Sequence, residues 1–267
     1  MLIAPFQLYV WPHRLLMLAP AYASARHRHH AAQIAFGVDG PVVFESPQTG
    51  LLRADMLLIP PDTIHAHPAF GASAFLYLEP DSIDWTNFSG GKENRLVPLP
   101  FNPQLRPEAR CAAAGDAVAA RSLVDSLIGR SASLGHRDDA VVSRTCTLIR
   151  RSLAGPIRLA ALSEAVDLSP SRLAHRFREG TGVPLRRYVL WCRLRTAADA
   201  AMRGSSLTEA AHLAGFADSA HLTRTFRAMF GVAPSLLFKP GRAGVTFCES
   251  APRTGEEEIG ASHIRRA

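Results

Sequence analysis

Only four cysteines occur in 267 residues, Cys111, Cys146, Cys192 and Cys248, and no two of them stand as a CxxC pair. That spacing points away from a zinc knuckle or a redox dithiol and fits a chain kept reduced in the cytoplasm. A leader is not expected either. The opening MLIAPFQLYVWPHRLLMLAP is apolar, but no basic stretch precedes it, and Pro5, Pro12, His13 and Arg14 interrupt it. Neither a signal peptide nor a membrane span is therefore predicted. Also missing are HExxH, a Gly-rich phosphate loop and a Ser-His-Asp pattern, so no catalytic residue and no cofactor is expected. What remains is 47% hydrophobic and 20% charged, the composition of a chain that buries a core.

The net charge of +7 is unevenly spread. Residues 1–149 carry 12 Lys+Arg against 13 Asp+Glu, residues 150–240 carry 14 against 6, and the remainder carry 4 of each. One segment of 91 residues thus holds the whole positive excess. A polyanion-binding module has this footprint, as does a solvated basic face.

Residues 1–102 read as short strands between turn signals: LLMLA, AAQIAFGV, GPVVFES, GLLRADMLLIPP and SAFLYLEP. A small β-sandwich or barrel follows from that spacing. Residues 103–154 form a helical linker, with one helix over about 104–130 and another over about 137–153, joined by GRSASLGH. Their apolar stripes, Leu123, Leu127 and Ile128 on the first and Val141, Thr145, Leu148 and Ile149 on the second, need a partner. Packing back on the β-domain and a two-fold dimer contact are the two solutions, and dimerisation is slightly favoured. Residues 155–240 are basic and wholly helical, while 241–267 lack an apolar period and are expected to be a mobile, disordered tail.

The basic segment contains an internal repeat. LAALSEAVDLSPSRLAHRFREGTGVP, from Leu159, aligns with LTEAAHLAGFADSAHLTRTFRAMFGVAP, from Leu207. Leu168 matches Phe216, Leu173 matches Leu222, Phe177 matches Phe226 and Gly182 matches Gly231. Each copy reads as helix, tight turn, helix. Ser169 and Asp218 are N-caps, Pro170 suits the first helical position, and Leu173/Phe177 and Leu222/Phe226/Phe230 make i, i+4 stripes. Between the copies, Pro184 to Gly204 spans one long connecting helix, about 30 Å at 1.5 Å per residue. Two helix-turn-helix units on one helix are a DNA-binding arrangement, the second helix of each entering the major groove. Side chains off the stripes then face DNA: Ser171, Arg172, Ala174, His175 and Arg176 in the first unit, and Ser219, Ala220, His221, Thr223, Arg224 and Arg227 in the second.

On SPSRLAHRFREGTGVPLRRYVLWCRLRTAADAAM and SLTEAAHLAGFADSAHLTRTFRAMFGVAPS, the chain resembles the AraC/XylS family of bacterial transcription regulators from Ile157 to about Phe238. The resemblance implies two recognition helices in successive major grooves of promoter DNA. Its base readers fall on Ser171, Ala174 and His175, and on Ala220, Thr223 and Arg224. Arg172, Arg176 and Arg227 are better read as phosphate contacts. The departure is Asp167, where the family has Gly in the turn; Asp tolerates positive φ, so modest strain is expected. The family also implies a front domain that senses an effector or dimerises, here a cupin-like β-domain. The expected fold is therefore α+β and multidomain: a small cupin-like β-domain, two linking helices, and an all-α domain of two helix-turn-helix units. A homodimer in the cytoplasm, associated with the nucleoid, is the expected state. Promoter DNA is the main partner, with RNA polymerase and a small-molecule effector as further ones, and the membrane as none. Activator and repressor remain open.

The histidines of RHRHHAAQ, with His65 in PPDTIH, then fall in the front domain. On a strand His27, His29 and Gln33 share one face and His30 takes the other. The arrangement resembles a cupin metal site, except that Gln33 stands where a carboxylate ligand belongs, and an amide is a poor ligand for the metals such sites hold. His27, His29 and His65 alone could still form an open three-histidine site. A metal, an organic effector, or a structural role with His30 and His67 at the surface all remain open. The rival to a regulator is a metal-dependent cupin enzyme, or a metal-sensing regulator, using these three histidines.

Overall fold

A computed structural model describes residues 6–82, 84–85, 95–128, 139–239 and 241–249. The expected linker GRSASLGH and residues 250–267 of the expected tail lie outside these.

Eleven strands are described: β1 (Phe6–Trp11), β2 (Arg14–Ala19), β3 (Ser24–His27), β4 (Ala32–Gly37), β5 (Val42–Ser46), β6 (Gly50–Ala54), β7 (Met56–Ile59), β8 (His65–His67), β9 (Ser73–Leu78), β10 (Val97–Pro98) and β11 (Ala243–Phe247). They form a seven-stranded sheet of order β10-β7-β4-β9-β2-β1-β11 and a four-stranded sheet of order β3-β8-β5-β6. The expected β-rich domain is present. In β4 and β9 every residue is buried, so no polar alternation marks them in the sequence. The reason is that both faces of the large sheet are covered. One face meets the small sheet and the helical domain, and the other meets the first linker helices.

Those linker helices differ from expectation in two ways. The single helix expected over 104–130 is a hairpin of α1 (Leu105–Ala113) and α2 (Ala117–Ile128). Gly115 at φ +102° breaks it, and the Asp116 carboxylate restarts it by accepting from the Val118 and Ala119 N–H groups. The apolar stripe of the hairpin, including Leu105, Ala109, Leu123 and Leu127, packs on Tyr9, Leu16, Ile34 and Leu76 of the sheet. Tyr9 also donates to the Ala112 carbonyl at 2.7 Å. The stripe favoured for a dimer contact is thus already used within the chain. The next helix, α3 (Ala140–Arg151), instead buries Val142, Cys146 and Ile149 in the core shared with the helical domain.

That domain comprises α4 (Leu159–Ala165), α5 (Pro170–Thr181), α6 (Leu185–Met202), α7 (Leu207–Leu213), α8 (Ser219–Phe230) and α9 (Ser235–Phe238). The repeat is obeyed in three dimensions. Leu173 and Phe177 of α5, and Leu222 and Phe226 of α8, are all buried, and truncating either Phe would cost about 3–5 kcal/mol. Ser169 and Asp218 cap as expected, accepting from the N–H groups of Arg172 and His221. The matched turn residues Asp167 and Gly215 both have positive φ, +54° and +76°. At Gly215 a Cβ would lie 2.3 Å from the Leu153 carbonyl, which demands glycine; Asp167 has no such neighbour and bears only the strain of its backbone.

The expected disordered tail is corrected in part. Ala243–Phe247 adds to the edge of the large sheet, parallel to β1, with Phe6 opposite Ala243 and Val10 opposite Phe247. Pairing supplied by an existing sheet edge orders a stretch whose own sequence has no strong period.

Candidate nucleic-acid interface

The two expected recognition helices are α5 and α8. On α5, Ser171, Arg172, His175 and Arg176 are exposed and Ala174 is half-buried; on α8, Ala220, His221, Arg224 and Arg227 are exposed, with Ser219 and Thr223 half-buried. The caps and the buried stripes hold both helices so that these side chains point outward. Among the described residues, Arg172, Arg224 and Arg227 make no ion pair. Arg176 differs, since its Nε donates to the Asp139 carboxylate at 2.7 Å. His175 lies 3.4 Å from Glu179 one turn on. The long α6 between the units has 18 residues, a length of about 27 Å.

Each unit is seated on a different support. The first leans on α3, where Arg176 meets the N-cap Asp139 and a Cβ at Gly180 would come within 2.9 Å of Val142. The second leans on the β-domain. The Ala25 N–H of β3 donates to the Gly231 carbonyl at the end of α8, at 3.0 Å. A further link joins α6 to the β-domain: Asp62 accepts from Arg187 at 2.6 Å and pairs with His30 Nδ1 at 2.6 Å. Burial by itself raises the Asp62 carboxyl, but the hydrogen bonds and charges of His30 and Arg187 outweigh it and hold the group below its ordinary value. No periodicity in the sequence marks this tie, and its one local signal is the turn in PPDTIH, where Asp62 has φ +64°.

The histidines converge. His27, His29 and His65 present ring nitrogens that all lie within 4.8 Å of one another, and all three side chains are buried. Strand β3 ends at His27 and β4 begins at Ala32, so the single strand expected through this run is broken. Gln33 still faces the cluster, its Oε1 2.7 Å from His29 Nε2. The reading of His30 and His67 as surface residues is corrected: they are 5% and 2% exposed, His30 on Asp62 and His67 among Tyr22, Phe44 and Phe75. Burial lowers His27 to about 3 and His29 to about 4, and pushes His65 well below the usual imidazole value, with neighbouring histidines adding to the shift of His27 and His65.

Between the β-domain and the helical domain lies a cleft with a volume of about 70 Å³. Leu8, Met17 and Tyr77 line it from the sheet, and Trp191, Phe226 and Phe230 from the helices. Arg195 is its charged residue, and it is already engaged by Glu79 at 3.2 Å, Asp199 at 3.1 Å and the Trp11 carbonyl at 2.7 Å. No local pattern in the sequence marks this cleft, because its walls are far apart along the chain.

Comparison with known proteins agrees with this architecture. Residues 162–239 match a family model described as a helix-turn-helix domain. The fold is similar to that of ToxT from Vibrio cholerae O395, with a TM-score of 0.58 at 11% identity over 88% of this chain and 99% of that one. Two ligand-bound ToxT structures are also similar. One carries an unsaturated fatty acid, in strain SCE256, with a TM-score of 0.52 and 12% identity over 88% of this chain and 96% of that one. The other, from O395, carries (E)-4-(8-methylnaphthalen-1-yl)but-3-enoic acid, with a TM-score of 0.55 and 13% identity over 86% and 97%. Among the described residues no helix is long and apolar enough to cross a membrane. A β-rich N-terminal domain joined to a helix-turn-helix domain supports a DNA-binding transcription regulator.

Proposed function

We propose that α5 and α8 read promoter DNA in two successive major grooves, and that an apolar ligand in the interdomain cleft adjusts their placement. The observation that carries the first half is the pair of outward helices whose Arg172, Arg224 and Arg227 form no ion pair among the described residues, although Asp218 lies near enough to Arg224 to feel its charge. Arg224 is assigned to a base edge, where its fork bonds guanine bidentately, and Thr223, Ala220, Ser219, Ser171 and His175 complete the reading surface. Arg172 and Arg227 are assigned to phosphates. Arg176 joins them only when Asp139 releases it. Units of 1–102, 103–154 and 155–240 suit this division of labour, and the chain acts on the nucleoid in the cytoplasm. Because α1 and α2 spend their stripe on the sheet, tandem reading by one chain needs no dimer through that surface. Contact with RNA polymerase would decide between activation and repression. No catalysis is assigned.

For the second half, the cleft lies between the two domains and has mostly apolar walls, as small-molecule sites do. Its cation is compensated by two carboxylates, so the chemistry favours an elongated apolar molecule with a neutral hydrogen-bonding head over a bare anion. The similarity to fatty-acid-bound ToxT supports an apolar ligand as a class, not its head group.

Duplexes selected from a random pool by the full chain test the first half. A shared sequence with two elements about one helical turn apart is expected, and recovery of no preferred sequence would overturn it. Long-chain acids and the matching alcohols, scored by melting temperature and by Trp191 fluorescence, test the second. The alcohols should bind at least as well as the acids, and Ala198→Phe, which fills the cleft, should abolish both signals.

A further inference from the structure

We propose that His27, His29 and His65 bind one divalent transition-metal ion through their Nε2 atoms, and that this ion governs how α8 is seated on the β-domain. The proposal is independent of any ligand in the apolar cleft.

The hydrogen bonding of the three rings carries the argument. His27 Nδ1 lies 2.8 Å from the Ala25 carbonyl, His29 Nδ1 2.8 Å from the Ala31 carbonyl, and His65 Nδ1 2.9 Å from the Thr63 carbonyl. A carbonyl oxygen only accepts, so each Nδ1 carries the proton. Each Nε2 then has a lone pair and is the ring nitrogen left to bind an ion. A backbone carbonyl behind each imidazole is the usual device that orients a metal-binding histidine. His65 Nε2 is buried with no hydrogen-bond partner, which is costly for a polar atom unless something fills the site. Gln33 does not close the question. Its amide lies 2.7 Å from His29 Nε2, so an ion displaces that one hydrogen bond and Gln33 turns aside.

The donor set narrows the metal. Three imidazoles suit zinc, copper, nickel or iron, whereas calcium and magnesium demand oxygen. Zinc–nitrogen bonds of about 2.0–2.1 Å require the three nitrogens, now within 4.8 Å of one another, to draw closer around the ion. Gln33 leaves the site without a carboxylate, so the fourth position stays open to water or a small anion.

Connection to DNA binding follows from the neighbours. Ala25, whose carbonyl holds His27, also gives its N–H to Gly231 at the end of α8. A Cβ at Gly231 would fall 2.8 Å from His27 Nδ1, so the helix end and the ring touch. The Phe230 ring lies 6.3 Å from that of His29. Drawing the three rings onto an ion therefore moves groups that support α8, while α5 stays on α3.

The test uses the full chain stripped with chelator and titrated with Zn²⁺ against a chromophoric competitor, and with Co²⁺ followed by its visible absorption. One equivalent of each is expected, with a four-coordinate Co²⁺ spectrum. His27→Gln and His65→Gln, which keep a polar side chain in place, should each weaken binding at least about tenfold, while His212→Ala should not. Melting curves of the stripped variants verify folding. Should a variant fail to fold, the wild-type Co²⁺ spectrum decides alone: no stoichiometric ion, or no nitrogen-ligated spectrum, overturns the site. Binding that survives His65→Gln in a folded protein overturns it too. For the link to α8, the Kd for a selected duplex should change about fivefold or more on adding Zn²⁺ to wild type, and not in His65→Gln. An unchanged Kd overturns that half.

Discussion

The main chain of Ala25 is hydrogen-bonded to Gly231 at 3.0 Å, so the end of the second recognition helix is fastened to a strand of the β-domain. The first recognition helix is fastened elsewhere, through Arg176 to Asp139 of α3. The two DNA-facing helices of one chain thus answer to different supports. A shift of the β-domain moves α8 more than α5, which is the kind of differential contact that regulation needs.

Gly231→Ala should loosen this fastening. The residue has φ +67°, and a Cβ would lie 2.3 Å from the Ala25 carbonyl. A left-handed alanine alone costs about 1 kcal/mol, and the clash adds to it. Expected are a lower melting temperature and faster amide exchange at β3, with α5 unaffected. Unchanged exchange at β3 would show that the contact is dispensable.

Arg224→Ala and Arg172→Ala should fail differently. The first should lose about 1–3 kcal/mol at the preferred site and relax specificity at one base pair. The second should weaken all duplexes alike and reduce the slope of log K against log salt by about one unit. Footprinting across a salt series separates them, and an Arg224→Ala protein that protects its site like wild type contradicts the reader assignment.

Asp139→Asn should free Arg176 while leaving a capping oxygen on α3. Nonspecific DNA affinity is expected to rise, with the salt slope about one unit steeper. The stability change should stay within about 1 kcal/mol, because the pair is partly solvated. Acid acts in the same direction. Burial opposes ionisation of Asp139, but Arg176 and the Val141 and Val142 N–H groups together outweigh it and hold its carboxyl below the usual range. The pair is therefore fully present above about pH 4, and it is lost as pH falls through the lower folded value.

Asp62→Ala should weaken the docking of α6 on the β-domain, since it strips both Arg187 and His30 of their partner and leaves the Arg195 contacts to Glu79 and Trp11. A loss of about 1–3 kcal/mol is expected from these charge-assisted bonds, discounted because Arg187 remains 37% exposed. Asp62→Asn tolerates the φ of +64° and separates charge from backbone strain. If the two variants melt alike, loss of the charge accounts for the effect. The wild-type link, like that of Asp139, is present above about pH 4 and weakens on acidification, because its folded carboxyl is depressed.

What the sequence by itself determined is the helical half of the molecule. Caps at Ser169 and Asp218, the stripes Leu173/Phe177 and Leu222/Phe226, and the glycines at 182 and 231 act over a few residues, and α5, α6 and α8 form where those local forces put them. The strands rich in apolar residues were legible for the same reason. Tertiary structure decided the rest. Only long-range pairing could reveal that β11 runs beside β1 or that the α1–α2 stripe covers the sheet. Likewise, whether Arg176 is free or bound depended on an aspartate 37 residues away. For the histidines, the spacing of His27, His29 and Gln33 suggested a shared face. The convergence of the three rings instead came with carbonyls at 25, 31 and 63 holding each Nδ1. Such ring orientation belongs to the packed chain, because no residue within one strand can impose it alone.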